Sequence, residues 1–124
     1  MNSELEKVLA KIRRADLFYF MNVKLNDPNV RGGLGITPLH IVATWGDVES
    51  ARVLLDAGAE IDVPAEDDYT ALHEAIEQGH FEVVKLLVSR GADLNRKCEF
   101  GNAVELAILG KREEIKKFLN EKTN

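Results

Sequence analysis

Cysteine and long apolar runs are the scarcest features of this sequence. Cys98 is its only cysteine, and no apolar run approaches the roughly 20 residues of a membrane-spanning helix. One thiol closes no intramolecular disulfide and completes no CxxC metal or redox motif, which favours a reducing compartment. The N-terminus, MNSELEKVLAK, lacks the basic start and apolar core of a signal peptide. We therefore expect a cytoplasmic protein without a membrane partner.

Basic residues are absent from the middle of the chain. Nine acidic side chains and no lysine or arginine occur between positions 53 and 84, although the flanking segments carry a slight positive excess. This distribution accounts for the formal net charge of −5. A concentrated negative surface repels phosphate, so the pattern argues against a nucleic-acid partner and favours a protein with a basic surface.

The chain repeats itself at a spacing of 33 residues. TPLH at 37–40 returns as TALH at 70–73, and Gly46 returns as Gly79. A fainter third copy, GNAVELAILGKREEIKKFL, follows at a spacing of 32. Such a period indicates stacked units, none of which buries its apolar face alone.

Each full unit has the signals of two short helices. Thr37 is a good N-cap, and Pro38 suits the first helical position, where its missing N–H costs nothing. Gly46 ends this helix, Asp47 caps the next one, and Gly58 supplies a left-handed C-terminal turn. The sequence therefore predicts antiparallel helix pairs joined by extended segments with polar tips.

These motifs, together with GHFEVVKLL at 79–87 and GADLN at 91–95, resemble the ankyrin repeat over roughly residues 26–119. The resemblance implies an all-α solenoid of helix–turn–helix units with β-turn tips. It also implies structural roles for the motif residues, with the imidazoles bonded to the motif threonines and to adjacent loop backbone. These residues are Thr37, Pro38, His40, Thr70 and His73.

The predicted organisation is one domain, 1–124, made of four units. An N-terminal helical cap unit spans 1–31, full repeats span 32–64 and 65–97, and a C-terminal capping repeat spans 98–124. In the first unit we expect one helix to begin near Glu4 and a second near Asp16. The second helix is expected to bury Leu17, Phe18, Phe20, Met21 and Leu25 against the next unit.

Candidate catalytic and metal-binding features each have a simpler interpretation. The two motif histidines are more readily structural than metal ligands or general bases, and RGGLG at 31–35 lacks the strand and the Lys-Ser/Thr of a phosphate-binding loop. The carboxylates near position 70 have no nucleophile beside them, and Cys98 suits a packing role. We expect no catalytic residue, no metal and no cofactor.

The surface that binds a partner follows from the resemblance. Ankyrin proteins usually bind through their tips and the concave face of their first helices. The matching positions are Leu34, Ile36, Thr44, Trp45, Glu66, Asp67, Tyr69, Glu77, Gln78 and Phe100. Trp45 has two interpretations, as an exposed aromatic anchor or as a side chain packed over its own repeat.

The leading functional hypothesis is a non-enzymatic, monomeric module that binds a basic protein through an acidic concave face. A more specific form of this hypothesis is that the protein inhibits an enzyme that acts on nucleic acid, or serves as an immunity protein. A negative surface can occlude a basic active site. The alternative is a structural scaffold or adaptor that self-associates through Phe18, Tyr19 and Phe20. An enzyme that uses His73 is the weakest hypothesis.

Overall fold

The computed structural model describes residues 3–15 and 17–123, and seven α-helices lie within these ranges. Most are short, at seven to nine residues, and only the first and the last are longer, at 12 and 11 residues. In chain order they are α1 (Ser3–Arg14), α2 (Pro38–Trp45), α3 (Val48–Asp56), α4 (Ala71–Gln78), α5 (Phe81–Ser89), α6 (Ala103–Leu109) and α7 (Glu113–Thr123).

The helices stack in two layers. Helix α4 packs between α2 and α6 in one layer, while α1, α3, α5 and α7 pack in sequence in the other. Each helix of the first layer also contacts the helix that follows it in the second. The core is the continuous apolar seam between the layers, so the all-α repeat stack predicted from the sequence is confirmed.

The predicted helix boundaries of the first full repeat are confirmed. Oγ1 of Thr37 accepts a hydrogen bond from the backbone N–H of His40, and Pro38 occupies the first helical position. Gly46 ends α2 with a φ of 75°, a conformation that a residue with a Cβ adopts at a cost. Oδ1 of Asp47 then accepts from the N–H of Ser50 and so caps α3.

The tips recur at the repeat spacing. Gly32 N–H donates to the Ile36 carbonyl and Ala65 N–H donates to the Tyr69 carbonyl, each at 2.7 Å. A third tip is closed by an isolated bridge between Cys98 and Gly101. Neighbouring tips are also joined, because Glu99 N–H donates to the Asp67 carbonyl at 2.9 Å. The tips therefore form a row along one edge of the stack.

The N-terminal unit differs from the prediction. Its first helix is confirmed, but the segment after Asp16 forms only a 3-10 turn, Phe18–Phe20, and Asp16 itself lies outside the described residues. Of the apolar residues expected to be buried there, Phe20 and Leu25 are, whereas Phe18 and Met21 are largely exposed. The physical reason is that α1 packs on both α2 and α3, so one helix covers the N-terminal end of the two layers.

Candidate functional site

Two buried histidines tie each helix pair to the next tip. The N–H of Thr37 donates to Nδ1 of His40 at 3.1 Å, so the proton of the neutral ring resides on Nε2, which donates to the Tyr69 carbonyl at 2.9 Å. His73 makes the equivalent bonds with Thr70 and with the Arg96 carbonyl. The structural role that the ankyrin resemblance implied for these imidazoles agrees with this geometry.

Burial gives this network a pH dependence. It lowers the pKa of both His40 and His73 from the ordinary value of 6.5, because the charged ring is poorly solvated. Below pH 6.5 the unfolded state therefore binds more protons than the folded state, and stability that is fully present above that pH is lost as the pH falls. Between pH 7 and 5 we expect the free energy of unfolding to drop by about 1 to 3 kcal/mol, measured by urea denaturation.

The control for this pH effect is His73→Asn, which removes one titrating ring. The variant is expected to be less stable at pH 7 but to lose less stability on acidification than the unsubstituted chain. Glu74 opposes the trend, since its raised pKa makes the folded state bind a proton more readily, but it is one group against two. Equal losses in the two proteins would contradict the assignment.

An open groove of about 300 Å³, here called the acidic groove, runs along the row of tips. Four carboxylates and three aromatic side chains contribute to its walls. Among the described residues, none of these four carboxylates forms an ion pair with a lysine or arginine. The lining residues are Tyr19, Leu34, Ile36, Ala65, Glu66, Asp67, Tyr69, Glu74, Glu77 and Phe100.

Tyr69 forms the rigid centre of the acidic groove. Its side chain is only 9% exposed, with the ring edge-on to Phe100 at 6.4 Å and to His73 at 5.9 Å between centroids. Burial raises the pKa of its hydroxyl, and the nearby Glu77 carboxylate raises it further, so the group stays neutral. Tyr69 therefore serves as a fixed wall more than as a protruding anchor.

Glu74 is the most unusual charge of the acidic groove. Burial raises the pKa of its carboxyl, and the neighbouring negative charge of Glu77 raises it further, while a hydrogen bond from Thr44 Oγ1 at 3.1 Å favours the ionised form. A half-buried carboxylate beside another carboxylate is poorly stabilised in the free protein. A cation brought into the groove would relieve this repulsion.

The backbone is strained where the tips meet the acidic groove. Leu34 and Asp67, which lie 33 residues apart, adopt left-handed conformations with φ values of 59° and 62°. Aspartate tolerates this region, but leucine does so at a cost, and Leu34 also exposes much of its side chain to solvent. Backbone strain of this kind is typical of ligand-contacting loops.

Seven of the ten predicted partner-binding residues thus line one groove, and three do not. Thr44 supports the groove from behind through its bond to Glu74. Trp45 and Gln78 occupy equivalent positions at the ends of α2 and α4, outside the lining residues. Trp45 is 39% exposed, so it is neither fully packed nor fully free, and its role as an anchor stays a prediction.

Some lining residues were missing from the predicted set. Glu74 belongs to the helix that follows the second tip, and its place in the acidic run was the available signal. Tyr19 comes from the N-terminal unit, which departs from the repeat pattern, so no motif position identified it. Ala65 precedes the acidic tip and carries no chemical signal of its own.

The glycine-rich segment at 31–35 and Cys98 have packing roles. Gly32 permits close packing, since a Cβ there would lie 2.3 Å from the Tyr19 carbonyl oxygen, and Cys98 is buried with its thiol donating to Gly101. In residues 3–15 and 17–123, no group of three or more His, Cys, Asp and Glu side chains is arranged to hold a metal ion. No helix in the described part of the chain is long and apolar enough to cross a bilayer.

The chain is similar in sequence to parts of several known proteins. Ankyrin repeat domain-containing protein 17 of Homo sapiens is 41% identical over 75 residues, which cover 58% of this chain and 3% of that protein. Ankyrin repeat and KH domain-containing protein mask of Drosophila melanogaster is 43% identical over 76 residues, 59% of this chain and 2% of that protein. Ankyrin repeat and SOCS box protein 11 of Mus musculus is 38% identical over 73 residues, 58% of this chain and 22% of that protein.

The chain therefore spans only a small part of the length of these relatives, and what it shares with them is the repeat. Ankyrin repeats are generally non-enzymatic protein–protein interaction modules. The family model described as ankyrin repeats (3 copies) matches residues 8–98, about three quarters of the chain. With the stacked helix pairs, the threonine-capped histidines and this match, the chain belongs to the ankyrin repeat family.

Proposed function

We propose that this chain is a non-enzymatic module whose acidic groove binds a basic segment of another protein. The observation that carries the proposal is the groove itself, in which four carboxylates lie beside aromatic walls and, among the described residues, form no ion pair with a lysine or arginine. Cationic side chains both neutralise such carboxylates and pack on aromatic faces. The row of tips, fixed by the hydrogen bonds between neighbouring units, supplies a preorganised surface for the contact.

The biological consequence of docking is the finer part of the proposal. We favour inhibition, as by an immunity protein or by a competitor for a basic active site, because the groove concentrates negative charge in the way that a nucleic-acid ligand does. A monomer in the cytoplasm suits this role, and the presence of a single, buried cysteine supports a reducing compartment.

The proposal is tested with a fluorescent oligolysine peptide, whose affinity is measured by anisotropy at several salt concentrations. Glu74→Gln combined with Glu77→Gln is expected to weaken binding by about tenfold, because the peptide loses two charged partners in a partly desolvated groove. The same variant is expected to flatten the dependence of affinity on salt, since fewer ion pairs form.

The matched control is Glu49→Gln combined with Glu82→Gln, which removes the same net charge from the outer helices α3 and α5. Both side chains are well exposed and pair with Arg52 and Lys85 on their own helices. This control is expected to change the affinity by less than about twofold. If both double variants weaken binding equally, net charge and not the groove attracts the peptide, and the proposal fails.

Self-association is a second candidate function, favoured by the exposure of Phe18. Its ring stacks on Tyr19 at 4.3 Å between centroids and faces solvent, whereas Phe20 is buried. Under this alternative, light scattering is expected to show a dimer that Phe18→Asp converts to a monomer. A chain that is monomeric at high concentration before substitution excludes the alternative.

A further inference from the structure

A second groove continues the acidic groove toward the C-terminal end of the stack. This apolar groove has a volume of about 350 Å³ and is lined by Tyr69, Glu77, Phe100, Leu106, Leu109 and Gly110. Tyr69, Glu77 and Phe100 line both grooves, so the two form one continuous depression. Its two halves differ sharply in chemistry.

The apolar half of the depression exposes two large side chains. The side chain of Leu109 is 65% exposed and that of Phe100 is 55% exposed, and both belong to the wall of the groove. No described segment of the chain covers them. Exposed apolar surface of this kind, bordered by charge, is typical of a protein interaction site.

The carboxylates beside the apolar groove favour a ligand that carries positive charge. A ligand seated on Phe100 and Leu109 lies directly beside Glu77, and the rest of the depression adds Glu74, Asp67 and Glu66. Arg112 donates to the main-chain carbonyl of Glu77, and within the described ranges it forms no ion pair with the Glu77 carboxylate. A ligand that fits both grooves therefore carries an apolar side chain with a positively charged side chain next to it.

We propose that the depression recognises a bipartite protein segment, in which a bulky apolar side chain fills the apolar groove and adjacent lysine or arginine residues occupy the acidic groove. This inference rests on the proposed function and adds to it the chemical class of the partner segment. Burial of the apolar anchor provides most of the affinity, whereas the basic residues provide orientation and rate of association.

The experiment is a selection from a display library of random dodecapeptides on the immobilised chain, followed by affinity measurements with the enriched peptides. We expect enriched sequences that place a leucine, isoleucine, phenylalanine or tryptophan next to basic residues. Leu109→Ser is expected to weaken these peptides by about tenfold, because it removes the apolar wall that the anchor contacts.

Ile108→Ser is the matched control, since Ile108 is the sequence neighbour, is 54% exposed and lies outside the lining of the apolar groove. It is expected to leave the affinities unchanged. Enriched peptides that are basic without an apolar anchor, or that lose equal affinity in both variants, overturn the bipartite inference and leave the proposed function standing. Enriched peptides without basic residues, or no enrichment at all, overturn the proposed function and this inference together.

Discussion

Replacing His40 by alanine is expected to lower the free energy of unfolding by about 3 to 5 kcal/mol, as measured by urea denaturation at pH 7. The substitution leaves the Thr37 N–H and the Tyr69 carbonyl without their buried partner, and each such group costs about 1 to 3 kcal/mol. It also opens a cavity, because the imidazole is almost completely buried.

His80→Ala is the control, because this third histidine makes only one comparable bond. Its Nε2 donates to the Thr44 carbonyl at 2.9 Å, and its ring is half-buried just before α5. We expect a loss of only about 1 kcal/mol, the value of one ordinary hydrogen bond. Similar losses for His40 and His80 would contradict a special role for the motif histidine.

The His40 variant also tests how the fold supports the site. The carbonyl that His40 holds belongs to Tyr69, whose ring is shared by the acidic and the apolar grooves. Loss of this bond frees the backbone of the second tip, so binding by the groove is expected to weaken together with stability. We therefore expect His40 to act on binding only through the position of the second tip.

The fold is well predicted from the sequence because the helices of each repeat begin and end at residues with strong backbone preferences. Thr37, Pro38, Gly46 and Asp47 each specify one backbone position, and the same signals recur 33 residues later. The N-terminal unit lacks such signals. Its apolar residues, Leu17 to Leu25, suit either a helix or an irregular segment, and their periodicity does not decide between the two.

The candidate site is predicted less completely, for a different reason. Repeat positions identify which residues point from the tips, and this locates Glu66, Asp67 and Phe100. They do not reveal that Tyr19 from the irregular unit completes one wall. Nor do they reveal that Tyr69 packs against His73 of its own unit and Phe100 of the closing unit, because a repeat position does not specify ring contacts.

Truncation of a central core leucine is the second large effect. Leu72→Ala is expected to lower the free energy of unfolding by about 2 to 5 kcal/mol. The leucine side chain is only 1% exposed, so its removal leaves a cavity in the core beside α4. Helix α4 packs on α2, α5 and α6, so it joins the first full repeat to the closing unit. Thermal or urea unfolding followed by circular dichroism measures the loss.

Leu109→Ala is the matched control, since it removes the same atoms from a leucine that is 65% exposed. The control is expected to stay within about 0.5 kcal/mol of the unsubstituted chain. Comparable losses at the two positions would contradict the layered core, in which Leu72 lies in the central helix and Leu109 lies at the surface. The tolerance expected at position 109 also explains why Leu109→Ser separates partner binding from stability: Leu109 is an exposed side chain of the apolar groove, whereas Tyr69 and Leu106 in the same groove belong to the core.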